Sequence, residues 1–429
     1  MTYTPLIELQ APNEIKSFQE AKVLELLSYV SSRSPYYQNL LRDNDINAIK
    51  TLEDFTGIPT TSKDEFHRYN WDFLCVPHSQ IVEYTSTSGT LGSPVTVALT
   101  EKDLERLAYN ECISFTCADG NPDDLYQLML TLDRQFMAGM AYYEGIRKLG
   151  AGLIRVGPGL PQMQWEIINR LKPSALVAVP SFIIKLIEYA QENGMDIKNS
   201  SVQKAICIGE GLRAQDLSLN SLGKRIADEW GIKLYGTYAS TEMQTAFTEC
   251  AFGRGGHHHP ELIHVELLDE EGRPVKLGDP GEITVSTIGV EAMPLVRYKT
   301  GDMAIGYQDH CSCGRNTLRI GPVLGRKQQM IKLKGTTMYP PGIFEVLNRS
   351  KNVVDYVVEV VTGELGTDEL NLHVLVAQKS QSALDELKTD FQSRLKVIPT
   401  ILLSDRSKLD TLQMAGQGRK LRKFIDGRK

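Results

Sequence analysis

"ALVAVPSFIIKLIEYAQENG" runs from Ala175 to Gly194. Ala175–Val179 is a short apolar run with no polar residue inside it, the composition of a strand covered on both faces. The remainder reads as a helix that closes on Gly194. The same alternation continues on either side. "GLIRVG" (152–157) is strand-like, and "PQMQWEIINRL" (161–171) is a helix opening at a proline. Downstream, "VQKAICIG" (202–209) is a strand, a helix follows through Trp230, and "KLYGTY" (233–238) is a strand again. Strand and helix alternating at this pace predict an α/β fold with a parallel, doubly wound sheet.

The flanks differ. Residues 17–46 read as helical, with Ala21, Val23, Leu24, Leu26 and Leu27 as the apolar stripe and Pro35 near the start of a second helix. After Glu261, "LIHVELLDEEGRPVKLGDPGEITVSTI" alternates between turn pairs and predicts an antiparallel β region. "VLGRKQQMIKLKG" then begins a new piece: a strand, a helix near Pro341–Arg349, a hairpin over 353–376 and a helix near Ser382–Leu395. The expected organisation is a large N-terminal domain, 1–325, and a small, mobile α+β C-terminal domain, 326–429. At 429 residues the chain is longer than one core usually serves.

The formal charge of −6 provides no basic field for nucleic acid, and the basic residues gather only in the tail "GRKLRKFIDGRK". No apolar run suits a bilayer, and the N-terminus has no signal core, so a cytoplasmic protein without a membrane partner is expected. Seven cysteines, an odd number, argue for thiols or a metal rather than a disulfide framework.

Polar clusters punctuate the elements in a set order. Thr85, Ser86, Thr87, Ser88, Gly89 and Thr90 crowd hydroxyls and bare amides into one loop, which is either a phosphate cradle or a hairpin turn. "CIGEG" supplies Gly209, Glu210 and Gly211. "YASTE" ends at Thr241 and Glu242, and "RYKTGD" at Asp302. Two of these lie just beyond strand ends, where ligands gather in open α/β sheets. Glu242 suits a hard cation, and the same stretch also reads as a helix start capped by Ser240 or Thr241. "FTECAFGRGGHHHPE" and "DHCSCGR" present Cys250, His257, His258, Cys311 and Cys313. Three thiolates and one imidazole make a closed tetrahedral zinc site, structural rather than catalytic. The alternative is idle thiols beside a His-rich turn. Cys75, Cys112, Cys117 and Cys207 read as core.

Taken in order, "STSGTLGSP", "VPSFIIKLIE", "LVRYKTGD", "CSCGR" and "GRKQQMIKLKG…YPPGIFEVL" resemble the adenylate-forming acyl-CoA synthetases, and within them the phenylacetate–CoA ligase family and its zinc-bearing branch. The resemblance covers nearly the whole chain. It implies an AMP-forming acid–thiol ligase that uses ATP, Mg²⁺ and coenzyme A to convert an aryl or arylacetic acid, phenylacetate first among them, into its CoA thioester through an acyl-adenylate. It further implies a homodimer. The Thr85–Thr90 loop would hold pyrophosphate, Thr241 the α-phosphate and Glu242 the Mg²⁺. Gly209–Gly211 would pass behind adenine. Tyr235, Gly236, Thr237, Tyr238, Ala239 and Ser240 would line the nucleotide, with Tyr238 against the base. Asp302 would take the ribose, and Arg326 would reach back from the second domain. Lys420 would be the mobile catalytic lysine, with Arg419 and Lys423 as competing positions. Phe136, Ala141, Tyr142 and Tyr143 would enclose the acid. The zinc branch favours His257, with His258 close behind. Ser93, Ala239 and Gln328 depart from the family's lysine, glycine and aspartate. Two rival readings follow from the same residues: AMP transfer to a deazaflavin cofactor, and a degenerate nucleotide- or acyl-CoA-binding module without turnover.

Overall fold

The computed structural model describes residues 4–87, 95–333, 336–363, 367–378, 380–414 and 422–428. The chain divides into two compact units, Met1–Thr300 with Ala304–Pro322, and Gly301–Met303 with Val323–Lys429. Residues 323–325 thus fall with the second unit, just ahead of the expected boundary. Gly301–Met303 join it as well, which no feature of the sequence indicated.

The first unit begins with helices α1 (Pro12–Arg33), α2 (Pro35–Leu40), α3 (Leu52–Phe55) and α4 (Lys63–Arg68). The helical stretch starts earlier than 17 and breaks at Ser34. Pro35 has no N–H to continue α1, and Ser34 Oγ accepts from Tyr37 N at 3.3 Å to start α2. A hairpin of β1 (Glu83–Ser86) and β2 (Thr96–Leu99) leads to α5 (Glu101–Cys117). Thr100 and Asp103 close a reciprocal capping box at the start of α5. There follow β3 (Leu125–Leu128), α6 (Met137–Leu149), β4 (Gly152–Arg155), α7 (Pro161–Leu171), β5 (Ala175–Ala178), α8 (Pro180–Glu192), β6 (Lys204–Cys207), α9 (Ser221–Trp230) and β7 (Lys233–Ser240). The antiparallel strands are β8 (Thr245–Glu249), β9 (Gly256–His257), β10 (Ile263–Leu268), β11 (Pro280–Thr287), β12 (Tyr298–Tyr307) and β13 (Arg319–Ile320).

These strands form one sheet in the order β10-β11-β12-β13-β9-β8-β7-β6-β5-β3-β4. Strands β4, β3, β5, β6 and β7 are mutually parallel. Alternation within β5 and β6 shows why Ala175–Ala178 and Ala205–Cys207 are apolar throughout. Ala175, Val177 and Ile206 pack with α5 and α6, whereas Leu176, Ala178, Ala205 and Cys207 pack with α7, α8 and α9. Both faces are covered, so no position faces water.

Helices α5 and α6 meet closely at Gly145, where a Cβ would lie 2.2 Å from Glu111 Cβ. Glu111 is buried there and accepts from Asn110 Nδ2 at 2.9 Å. Burial pushes its carboxyl up to about 8, so the folded chain holds it protonated at neutral pH, whereas the unfolded chain ionises near its ordinary value. The linked stability is present below about pH 4 and is lost as pH rises through about 8. Glu111→Gln keeps the acceptor and removes the titration. It is expected to stabilise the chain by about 1–3 kcal/mol at pH 8.5 and to change little at pH 4, a difference that urea unfolding at the two pH values measures.

The second unit contains β14 (Gly325–Arg326), β15 (Ile331–Leu333), β16 (Thr336–Met338), α10 (Pro340–Arg349), β17 (Val353–Thr362), β18 (Asp368–Val376), α11 (Gln381–Leu395), β19 (Thr400–Leu403), α12 (Arg406–Met414) and β20 (Phe424–Asp426). Its main sheet runs β19-β18-β17-β20. Ile343, Val346 and Leu347 of α10 and Leu387 and Phe391 of α11 form its core with Val358, Val360, Leu370, Leu372 and Val374. Among the described residues, no helix is long and apolar enough to cross a membrane.

Candidate active site

The parallel strands place their carboxyl ends at one edge of the sheet. Chain order reverses between β3 and β5. Helix α6, after β3, lies on one face, and α8, after β5, lies on the other. Such a switch point opens a crevice at the strand ends. The loops around it carry the polar clusters. Gly209–Gly211 follow β6, and Glu210 bonds to the start of α8, which follows β5, accepting from Ser181 N and Ser181 Oγ, both at 2.9 Å. Glu210 thereby anchors the first turn of α8. The loop after β3 has consecutive left-handed residues, Arg134 at φ 60° and Gln135 at φ 59°, and Gln135 O accepts from Ser86 N at 3.0 Å. This bond brings the end of β1 to the same edge. Two adjacent non-glycine residues in that conformation are held by their surroundings, not by their own preference.

The "YASTE" segment does not start a helix. Thr241–Gln244 form a turn between β7 and the antiparallel β8, paired Ser240 to Thr245, and Ser240 Oγ accepts from Met243 N at 3.3 Å. Glu242 is buried in this turn, and its Oε1 accepts from Lys63 Nζ at 2.9 Å. Lys63, at the start of α4, lies far from Glu242 in sequence, and the sequence reading passed over it. "TTSKDE" looks like an ordinary capped helix start, and Ser62 with Glu65 does form that cap.

Several expected site residues are used by the fold. Thr85 is fully buried, and its hydroxyl donates to Val97 O at 3.2 Å. Thr87 Oγ1 accepts from Val95 N at 2.9 Å. Both hydroxyls stitch the hairpin, and Ser86 stays half-buried at its end. Ser88, Gly89, Thr90 and Ser93 lie outside the described residues. Tyr235 is a correction: its ring is buried between the sheet and α5–α6, and its hydroxyl donates to Asp119 Oδ2 at 2.7 Å. It sits too early on β7 to reach the carboxyl edge. Gly236 N donates to Glu249 Oε2 at 3.1 Å, and the Thr237 and Thr248 hydroxyls bond each other at 2.8 Å. Tyr238 is half-buried against Phe247, and Ala239 is exposed. The four residues assigned to the acid do not share one wall, because successive helical positions point about 100° apart. Ala141 joins the apolar cluster containing Met137, Met243 and Phe247. Tyr142 packs into the other core layer, and Tyr143 lies under Arg147 and Arg155. Phe136 is exposed.

In the second unit, Asp302 and Arg326 are register partners across β12 and β14, with Arg326 Nε 3.6 Å from Asp302 Oδ1. Arg428 Nη2 donates to the carbonyl of Gln328 at 3.1 Å. Lys423 lies over the Tyr356 ring at 4.3 Å and 3.7 Å from Asp355, which occupies it within its own unit. Lys420 and Arg419 lie outside the described residues.

Cys250, His257, Cys311 and Cys313 converge, their ligand atoms all within 4.8 Å of one another. Cys250 Sγ lies 3.6 Å from Cys311 Sγ, and Cys313 Sγ 3.4 Å from His257 Nε2. These separations match the edges of a tetrahedron built on zinc–sulfur bonds of about 2.3 Å. His257 Nδ1 bonds Thr317 Oγ1 at 2.9 Å, which directs Nε2 toward the thiols. The donor set fits zinc. The mutual hydrogen bond of Cys250 and Cys313 pushes the Cys250 thiol up and holds Cys313 well below the usual thiol range. His258 takes no part, since its Nδ1 faces Leu318 O at 3.3 Å and its Nε2 faces Gln19 at 3.5 Å. Beside the set, buried Glu8 bonds His259 Nδ1 at 2.5 Å and Arg315 Nε at 2.7 Å, tying the N-terminal segment to these loops.

The chain matches the family model described as AMP-binding enzyme over residues 42–293. It is similar to a phenylacetate–coenzyme A ligase of Thermus thermophilus, 29% identical, with 88% of this chain and 85% of that protein covered. It is also similar to a phenylacetate–coenzyme A ligase of Escherichia coli, 23% identical, with 91% and 89% covered. Among solved structures, a 2-hydroxyisobutyryl-CoA ligase in the postadenylation state with R3-HIB-AMP superposes with a TM-score of 0.83 at 23% identity, covering 98% of this chain and 91% of that one. The two share a fold.

Proposed function

The chain belongs to the AMP-binding enzyme family, in its phenylacetate–CoA ligase branch, and we propose that it joins an aryl or arylacetic acid to coenzyme A, phenylacetate being the first candidate. In the first half-reaction a carboxylate oxygen of the acid attacks the α-phosphorus of ATP, and pyrophosphate leaves. In the second the thiolate of coenzyme A attacks the acyl carbon, and AMP leaves. One observation carries the reading: Thr241 and buried Glu242 sit in the turn beyond β7, at the same sheet edge as the Gly209–Gly211 loop beyond its parallel neighbour β6.

Thr241 offers a hydroxyl donor to the α-phosphate, and the resemblance assigns the leaving pyrophosphate to the Thr85–Thr90 loop. Glu242 is the residue that would hold Mg²⁺; when bound, that ion offsets the phosphate charge. In the structure Lys63 faces the same carboxylate, so a cation there meets a prepared oxygen. Asp302 supports a ribose-binding role, because a carboxylate accepts from two hydroxyls. The small unit's movement, a homodimer and a zinc-held Cys250–His257–Cys311–Cys313 set complete the proposal. The test is acid-dependent release of AMP and pyrophosphate with consumption of free coenzyme A. AMP appearing on a deazaflavin, or nucleotide binding without pyrophosphate exchange, would replace this reading with one of its rivals.

Lys420→Ala is expected to reduce adenylation by about 10²-fold while sparing thioester formation from supplied acyl-adenylate. Adenylation needs a cation between the carboxylate and the α-phosphate, and the resemblance assigns that cation to Lys420. Arg419→Ala is the control for register. Lys423→Ala is the second control, and normal adenylation in all three variants would remove the tail from the chemistry.

A further inference from the structure

Gln244 ends the turn that carries Thr241 and Glu242, and two features set it apart. Its backbone is left-handed at φ 50°, a conformation glycine adopts freely and glutamine rarely does. Its side chain is 1% exposed, and neither the oxygen nor the nitrogen of its carboxamide has a hydrogen-bond partner. The main chain at this point is well held: Gln244 N donates to Ser240 O at 3.3 Å, and Gln244 O accepts from Arg106 Nη1 at 2.7 Å. Neighbouring buried polar side chains are also satisfied. Arg106 donates to Ile288 O and Thr245 Oγ1 as well, Asn110 Oδ1 accepts from Ala246 N, and Ser114 bonds His259.

A carboxamide has two donor and two acceptor positions, and native chains seldom bury one with none of them used. Methionine would fill similar space without that penalty. Nothing in the fold explains the choice of glutamine. Met243, the preceding residue, and Phe247 on β8 belong to the large apolar core that also contains Met137 and Ala141, from the segment assigned to the acid, and Tyr238 packs against that core. We infer that the Gln244 carboxamide is a specificity determinant whose partner arrives with the substrate: the acid bears a hydroxyl or amino group in addition to its carboxylate. The inference rests on the acid–CoA ligase reading and narrows it from aryl acids in general to polar-substituted ones, so that a hydroxy- or amino-substituted acid takes the place of phenylacetate as the first candidate.

The test compares matched acids, phenylacetate against 4-hydroxy- and 4-aminophenylacetate and benzoate against its hydroxy and amino derivatives, with full-length wild type, Gln244→Met and Gln244→Gly. Acyl-CoA and AMP formation give kcat/KM. A site that hydrogen-bonds a substrate hydroxyl rejects the analogue lacking it by far more than an apolar pocket does. The wild type is therefore expected to favour one polar member over its unsubstituted partner by at least about 10²-fold, and Gln244→Met to bring that ratio below about 10. The ligand-free Gln244→Met chain should melt no lower than wild type, because an unsatisfied buried amide has been removed. Gln244→Gly relieves the left-handed backbone and should lose the same discrimination. A wild type that prefers the unsubstituted acids, or a ratio unmoved by both substitutions, overturns the inference and leaves the ligase reading standing. Variants that fail to fold assign the carboxamide a structural role and also overturn it. If none of the acids yields AMP, the ligase reading fails and this inference falls with it.

Discussion

Glu242→Gln lowers acid-dependent ATP–pyrophosphate exchange by about 10²–10³-fold while the chain stays folded; this is the larger of the two expected effects. The side chain is isosteric and can still accept from Lys63 across 2.9 Å. What disappears is the full negative charge that a hard cation needs among its oxygens. A preorganised charge in a buried setting is worth about 3–4 kcal/mol of transition-state stabilisation when removed. Stability should change far less. Lys63 is about one-third exposed, so it regains water when its partner is neutral, and pairs with one wet member typically contribute at most about 1 kcal/mol. Thermal midpoints within a few degrees, together with the lost exchange, separate a chemical role from a packing one. Wild-type exchange in the variant would mean that the nucleotide is bound elsewhere on the chain.

The prominence of Glu242 could be read from the sequence because local order carried it: a strand, then small hydroxyl residues, then an acid. The parallel sheet was legible for a similar reason. Ala175–Ala178 and Lys204–Cys207 are covered on both sides, so burial writes itself into consecutive residues. Lys63 was not legible, since its meeting with Glu242 depends on how α4 lies against the β7–β8 turn, and its local signals describe only a helix cap. The strain at Arg134, Gln135 and Gln244 has no sequence signature either, because these residue types do not announce a left-handed backbone. The resemblance places Tyr235 and Tyr238 together along the nucleotide, although only the later residues of β7 approach the carboxyl edge. The choice between His257 and His258 was open to the same period-two argument. His257 lies on β9, and neighbours on a strand point to opposite faces, so only one of the pair can face the thiols.

Cys311→Ser and Cys313→Ser are each expected to purify with little bound zinc and to be destabilised by on the order of 3 kcal/mol or more. The set joins three separate stretches of backbone: the end of β8 at Cys250, β9 at His257, and the connection from β12 to β13 at Cys311 and Cys313. Losing one donor leaves buried thiols and an imidazole without their shared partner, and the loops they fasten also hold the N-terminal segment through Arg315 and Glu8. Both half-reactions should fall together, in proportion to the folded fraction. The geometry gives the reason. β8 runs antiparallel to β7, so Cys250 lies at the far end of β8 from the Glu242 turn, five residues away from Thr245. At about 3.4 Å per residue that is roughly 17 Å, and a set of four protein donors leaves no position for substrate. Cys117 provides the control. It is buried next to these cysteines, but its thiol donates to Thr248 O at 3.4 Å and it stands outside the converging set. Cys117→Ala should keep stoichiometric zinc. Elemental analysis of chelator-free protein and thermal midpoints decide the matter. Zinc-free wild type, or Cys311→Ser and Cys313→Ser variants that melt with it, would reduce the set to packed thiols. Selective loss of one half-reaction would instead place the metal in the chemistry.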